Sequence, residues 1–225
     1  MPDVVALEAH LREQRDAGRK LLVPYVTGGL GDDWPEVVRA MASAGADAIE
    51  VGIPFSDPVM DGPTIQEASE AALSQGATLD GILDALRDVD AGVPLVVMTY
   101  VNLVFHAGYE RFAAEAVAAG VGGVILPDLP LEELDEWEPH GQAAGLDTVL
   151  LASPLTPDDR LVTLCKRSSG FVYGVNLLGV TGERAAVSVA VRTSECSSSI
   201  DKTHRTGVRG DQPMPCGIVA SSGIH

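Results

Sequence analysis

Cysteine, basic charge and long apolar runs are all scarce in this chain of 225 residues, and each shortage removes a class of protein. The three cysteines, Cys165, Cys196 and Cys216, lie 31 and 20 residues apart with no C-x-x-C pair. Such spacing builds neither a disulfide framework nor a zinc site, so reduced thiols without a role are expected. Only 15 Lys and Arg stand against 32 Asp and Glu, a net charge of -17. Nucleic acids and anionic membranes need a basic face, and neither is expected as a partner. No apolar run approaches the roughly 18 to 20 residues of a membrane span. The opening MPDVVALEAHLREQRDAGRK is amphipathic and charged, not a basic segment followed by an apolar one, which points to the cytoplasm.

Catalytic signatures are also missing. The five histidines, at 10, 106, 140, 204 and 225, form no H-E-x-x-H or other paired-ligand spacing, and no G-x-S-x-G occurs. Metal hydrolysis and Ser-His-Asp chemistry are therefore disfavoured, and no metal site is expected. The loop TGGLGDD, Thr27 to Asp33, has neither the G-x-G-x-x-G spacing of a dinucleotide site nor the Lys of a Walker loop. With so acidic a chain, a bound phosphate would depend on backbone N–H groups at loops and helix N-termini.

What the chain does contain is a repeat. AGADAIEVGIP, AGVPLVVMTY, AGVGGVILPD, AGLDTVLLAS and SGFVYGV each place a Gly before a short run rich in Val, Ile and Leu, with glycines at 45, 92, 120, 145 and 170. The last three intervals are 28, 25 and 25 residues, enough for one helix, one strand and two short loops. Gly supplies the left-handed position that stops a helix, and nearly continuous apolar strands are those of a parallel sheet covered on both faces. Six strands follow from the pattern: 21–27, 47–53, 94–100, 122–127, 147–153 and 171–175. Helices are expected over 4–17, 34–43, 64–76, 78–90 (with Thr78 as N-cap), 109–118, 131–144 and after TPDD. Strict alternation means an α/β fold, closed either as a doubly wound sheet or as a (β/α)8 barrel.

Parallel α/β folds bind ligands at the C-terminal ends of their strands. There Glu50 interrupts an apolar strand between Ile49 and Val51, and no Lys or Arg occurs between Arg39 and Arg87. A buried carboxylate without a partner has a raised pKa, which suits a general acid/base; an internal ion pair with a remote cation is the other reading. Eleven residues on, Asp61 lies in PFSDPVMDGPTIQ, where Pro54, Pro58, Gly62 and Pro63 shape a turning loop on the same rim. Two carboxylates in different environments can divide acid and base roles, although Asp57 and Asp61 are also ordinary turn and helix-start residues. The small residues of GVTGE after the sixth strand would allow an anion to approach the backbone, or form a plain turn.

LLVPYVTGG, GADAIEVGIPFSDPVMDGPTIQEA, MTYVNLVFHAGYERF, GVILPDLPLEE and FVYGVNLLGVTGER, in this order, closely resemble the tryptophan synthase alpha chain family over roughly Leu21 to Arg184. The resemblance implies a TIM (β/α)8 barrel that cleaves indole-3-glycerol phosphate to indole and glyceraldehyde 3-phosphate, and a beta-chain partner in an α2β2 tetramer. It implies no cofactor on this chain, pyridoxal phosphate belonging to the beta subunit. By the same resemblance Glu50 is the catalytic acid/base and Asp61 holds the indole N–H. Tyr25, Met98, Ile125 and Tyr173 line the substrate pocket, Thr181 and Gly182 serve the phosphate, and Asp57 and Asn102 lie near the beta-subunit contact. Another phosphate-binding barrel, indole-3-glycerol phosphate synthase, wants a strand-borne Lys. Lys20, Lys166 and Lys202 all fall outside the expected strands.

The ending departs from the family pattern. Only 41 residues follow Arg184, whereas the family continues through two further strand units, roughly 60 residues or more at this period. Residues 192–225 carry four basic and three acidic side chains, and nine of the 34 are hydrophobic. The expectation is a barrel domain over 1–191 with strands one to six, incomplete after strand six, and a poorly ordered tail over 192–225. PMPCGIVASSGIH could form one strand. The alternative function is an impaired alpha-like chain that keeps only beta-subunit binding.

Overall fold

In a computed structural model, residues 4–175 and 218–220 are described. Among the described residues seven strands run in the order β1 (Tyr25–Thr27), β2 (Ile49–Gly52), β3 (Leu95–Met98), β4 (Val121–Ile125), β5 (Asp147–Ala152), β6 (Val172–Gly174) and β7 (Ile218–Ala220). Every neighbouring pair is parallel, and spatial order equals chain order. A doubly wound sheet reverses its strand order at a switch point, so this progression selects the barrel-type closure. β7 falls within PMPCGIVASSGIH and extends the sheet beyond the six strands of the repeat. The rest of the expected tail, 192–217 and 221–225, lies outside the described residues.

The helices are α1 (Leu7–Asp16), α2 (Trp34–Ser43), α3 (Pro63–Ser74), α4 (Leu79–Leu86), α5 (Val101–Ala107), α6 (Tyr109–Ala118), α7 (Leu134–Ala144) and α8 (Asp158–Arg167). Thr78 caps α4 as its sequence suggests, its Oγ1 accepting the Gly81 N–H at 3.1 Å. The repeat glycines all have positive φ; Gly145 ends α7 in the left-handed conformation at φ 82°. The strands are two to four residues shorter than expected except β4 and β5, each one residue shorter. α5 is the helix the periodicity does not disclose. Its first N–H, that of Val101, donates to Asp128 Oδ1 at 2.8 Å, a carboxylate 27 residues away and invisible to local pattern.

Strand alternation sorts side chains into two cores. Ile49, Val51, Leu95, Val97, Val124, Leu150 and Val172 face the helices, while Ala48, Val96, Ile125, Val149 and Phe171 face the lumen. Leu7 and Leu11 of α1 join the lumen cluster, so this helix closes the N-terminal end of the strands. Its approach is close: a Cβ at Gly122 would lie 2.5 Å from the Val5 carbonyl, and one at Gly123 or Gly170 would lie 2.6 Å from Leu7 Cδ2. Asp147 Oδ2 accepts the Glu8 N–H at 2.9 Å, giving α1 the N-terminal acceptor that Ala6 lacks. Leu7 is fully buried, and Leu7→Ala should destabilise the chain by about 2–5 kcal/mol in denaturant unfolding. A loss below 1 kcal/mol would show that the plug is not part of the core.

Cys165 is buried on α8, and Cys196 and Cys216 lie outside the described residues. No helix among the described residues is long and apolar enough to cross a membrane.

Candidate active site

The site lies at the C-terminal ends of β1 to β6, where lumen-facing positions converge. Register pairs Tyr25 with Glu50 and Glu50 with Val96, so the tyrosine and the glutamate are neighbours on one face. One step further along, Gly52 pairs with Met98 and Met98 with Ile125. The residue facing Tyr25 is constrained: a Cβ on Gly52 would stand 1.9 Å from the Tyr25 hydroxyl oxygen. Glycine at 52 therefore lets the phenol lie across the β2 exit.

Glu50 is 4% exposed, and its Oε1 has no hydrogen-bond partner among the described residues. Burial, reinforced by the Asp61 charge, pushes its pKa up to about 8. The ion-pair reading thus gives way to a carboxyl that carries its proton at neutral pH. Burial also raises the Tyr25 phenol to about 12, with Asp61 and Glu50 adding to the shift, while Thr27 Oγ1 donates to its oxygen at 3.4 Å.

Asp61 sits in the β2–α3 loop. Gly62, not Asp61, is the N-cap of α3, so the aspartate side chain is not spent on the helix. Its Oδ2 instead accepts the Tyr100 O–H at 3.1 Å, and its backbone carbonyl accepts Gln66 Nε2 at 2.9 Å. Burial raises the Asp61 pKa and the Tyr100 hydrogen bond lowers it. The net direction for Asp61 is upward, and two carboxyl groups in different environments on one rim are an arrangement that can divide proton-donor and charge-stabilising roles.

The other expected residues divide clearly. Met98 and Tyr173 pack against the lumen core and Ile125 belongs to it, so all three face the lumen. Asp57 and Asn102 are exposed on the rim, Asp57 accepting the Ser56 hydroxyl at 2.6 Å and Asn102 lying on α5. Thr181 and Gly182 lie outside the described residues. The residue missed from sequence is Tyr100, whose place at the end of an apolar strand resembles an ordinary core position. Among the described residues no group of three or more His, Cys, Asp or Glu could hold a metal ion.

Fold and rim together define a (β/α)-barrel chain with two carboxyl groups, Glu50 and Asp61, at the C-terminal mouth of its lumen. The tryptophan synthase alpha chain family matches residues 11–205, and the chain belongs to that family. It is 48% identical over 177 residues to the tryptophan synthase alpha chain of Acidiphilium cryptum, a match covering 76% of this chain and 64% of that protein. It therefore spans less than two thirds of that relative. A solved structure of Mycobacterium tuberculosis tryptophan synthase superposes with a TM-score of 0.77 at 33% identity, covering 99% of this chain and 82% of that one. The Pyrococcus furiosus tryptophan synthase α2β2 complex gives a TM-score of 0.66 at 40% identity over 70% of this chain and 68% of that one.

Proposed function

We propose that the chain is the alpha subunit of a tryptophan synthase, a lyase that cleaves indole-3-glycerol phosphate into indole and glyceraldehyde 3-phosphate. The observation that carries this reading is Glu50: a buried carboxyl at the mouth of the lumen whose Oε1 has no hydrogen-bond partner among the described residues, its pKa pushed up to about 8 by burial and the Asp61 charge. Glu50 gives its proton to indole C3, and the ring nitrogen becomes cationic. Asp61 accepts the indole N–H and opposes that charge, which exists only as the reaction proceeds. The Glu50 carboxylate then takes the proton from the hydroxyl on the carbon attached to the ring. The carbon–carbon bond breaks, its electrons restore the indole, and the aldehyde forms, so the glutamate ends in its starting protonation state.

Tyr25, Met98, Ile125 and Tyr173 supply the apolar walls against which a flat indole packs, and Thr181 and Gly182 are assigned to the phosphate. This chemistry calls on no cofactor held by the chain. Pyridoxal phosphate is assigned to a beta subunit, with Asp57 and Asn102 on the contacting rim of an α2β2 assembly. Their exposure beside the site supports that placement. The cytoplasm is the proposed compartment.

Incubating the purified chain with indole-3-glycerol phosphate, alone and with a beta chain, should release indole and glyceraldehyde 3-phosphate in equal amounts. Beta-chain binding without indole release would support the impaired alternative instead, and neither activity would overturn both.

A further inference from the structure

Resting on the lyase reading, we propose that Tyr100 is a positioning residue for Asp61, its phenol holding one carboxylate oxygen so that the other faces the ligand. The geometry is a relay of three contacts. The Met60 N–H donates to the Tyr100 oxygen at 2.9 Å, which directs the phenolic proton away from Met60. That proton is donated to Asp61 Oδ2 at 3.1 Å. The ring itself is immobilised by Phe55, stacked at 4.8 Å between centroids and 28° between planes.

Met60, Asp61 and Phe55 all belong to the loop leaving β2, whereas Tyr100 ends the segment leaving β3. A loop rich in turn residues is therefore fastened to a neighbouring strand exit by a side chain 5% exposed. The fastening continues outward: the Val101 N–H, next along the chain, donates to Asp128 in the segment leaving β4. Three successive strand exits are joined through Tyr100 and its neighbour. Among the described residues Asp61 Oδ1 accepts no hydrogen bond, so the oxygen not held by Tyr100 remains for an incoming N–H. A carboxylate held by one oxygen presents the other in a fixed plane, the condition under which a charge acts without reorganising.

Besides burial, Tyr100 from the β3 exit is the group that acts on Asp61; Asp61 in turn raises the pKa of Glu50 on β2 and Tyr25 on β1, and Asp128 acts on Tyr100. Burial and these carboxylates keep the Tyr100 pKa well above its ordinary value, so the phenol stays a donor through the neutral range. Its donation lowers the Asp61 pKa. Removing the hydroxyl should therefore raise that pKa and carry the acid limb of the kcat profile to higher pH.

Tyr100→Phe keeps the ring on Phe55 and removes only the hydroxyl. The expected result on the full chain is a kcat lowered about fivefold with KM changed less than twofold, and an acid limb moved upward. A second readout does not depend on turnover. The side-chain carboxyl of Asp61, assigned in isotope-labelled protein by its loss in Asp61→Asn, should titrate at higher pH in Tyr100→Phe than in the parent. An unmoved Asp61 titration in a variant that unfolds at the parent's temperature overturns the proposal. If the parent releases no indole, the lyase reading fails while the titration still decides the role of Tyr100.

Discussion

Glu50→Gln is expected to lower kcat for indole release about 10²-fold or more, the scale on which a general acid/base is lost. The substitution keeps the shape and volume of the side chain, and Oε1 of Glu50 has no hydrogen bond to lose. Folding and ligand affinity should be retained, and the loss should fall on the chemical step. An active Gln variant would remove Glu50 from the mechanism. Because the first step needs a protonated Glu50, kcat of the parent should fall as pH rises through about 8.

The same substitution has a stability signature of known sign. Glu50 titrates at about 8 in the folded chain against an ordinary value of 4.5, so between these values the folded state binds a proton that the unfolded state has released. Stability contributed in this way is complete below 4.5 and is lost as pH rises toward and through 8. Glu50→Gln cannot ionise, so its unfolding temperature relative to the parent should rise from pH 5 to pH 8.5. A constant difference across that range would mean that Glu50 is ionised in the folded protein throughout.

Asp61→Asn should reduce kcat and kcat/KM together by at least about tenfold. An amide has a single acceptor oxygen, so it can take the indole N–H or the Tyr100 hydrogen bond but not both in the parent's geometry, and it cannot oppose a cationic ring. Hydrogen bonds to charged groups exceed neutral ones by roughly 1–2 kcal/mol, which sets that lower bound. Equal losses in the two constants would place the missing interaction in the transition state, whereas a rise in KM alone would make Asp61 a ground-state contact. Parent-like kinetics would return Asp61 to the status of a turn residue.

Periodicity made the strand and helix succession legible along the chain. Gly45, Gly92, Gly120, Gly145 and Gly170 mark real left-handed turns, and α2 and α6 begin and end where the apolar spacing places them. Glu50 was legible too, because a carboxylate inside an apolar strand contradicts its surroundings whatever the closure of the sheet. Local order could not choose between a doubly wound sheet and a barrel, since both use the same strand-helix repeat. Chain-order pairing of all seven strands makes that choice.

Long-range contacts settle the remainder. Tyr100 lies 39 residues from Asp61, and Asp147 lies 139 residues from the Glu8 N–H it accepts. Gly52 stands where the Tyr25 phenol crosses the β2 exit, a requirement that appears only when two strands are paired in register. Spacing along the chain carries helix and strand periods because those depend on neighbours within a few residues. Which carboxyl loses its water, which phenol reaches it and what closes the lumen depend on groups far apart in the chain, and folding alone brings them together.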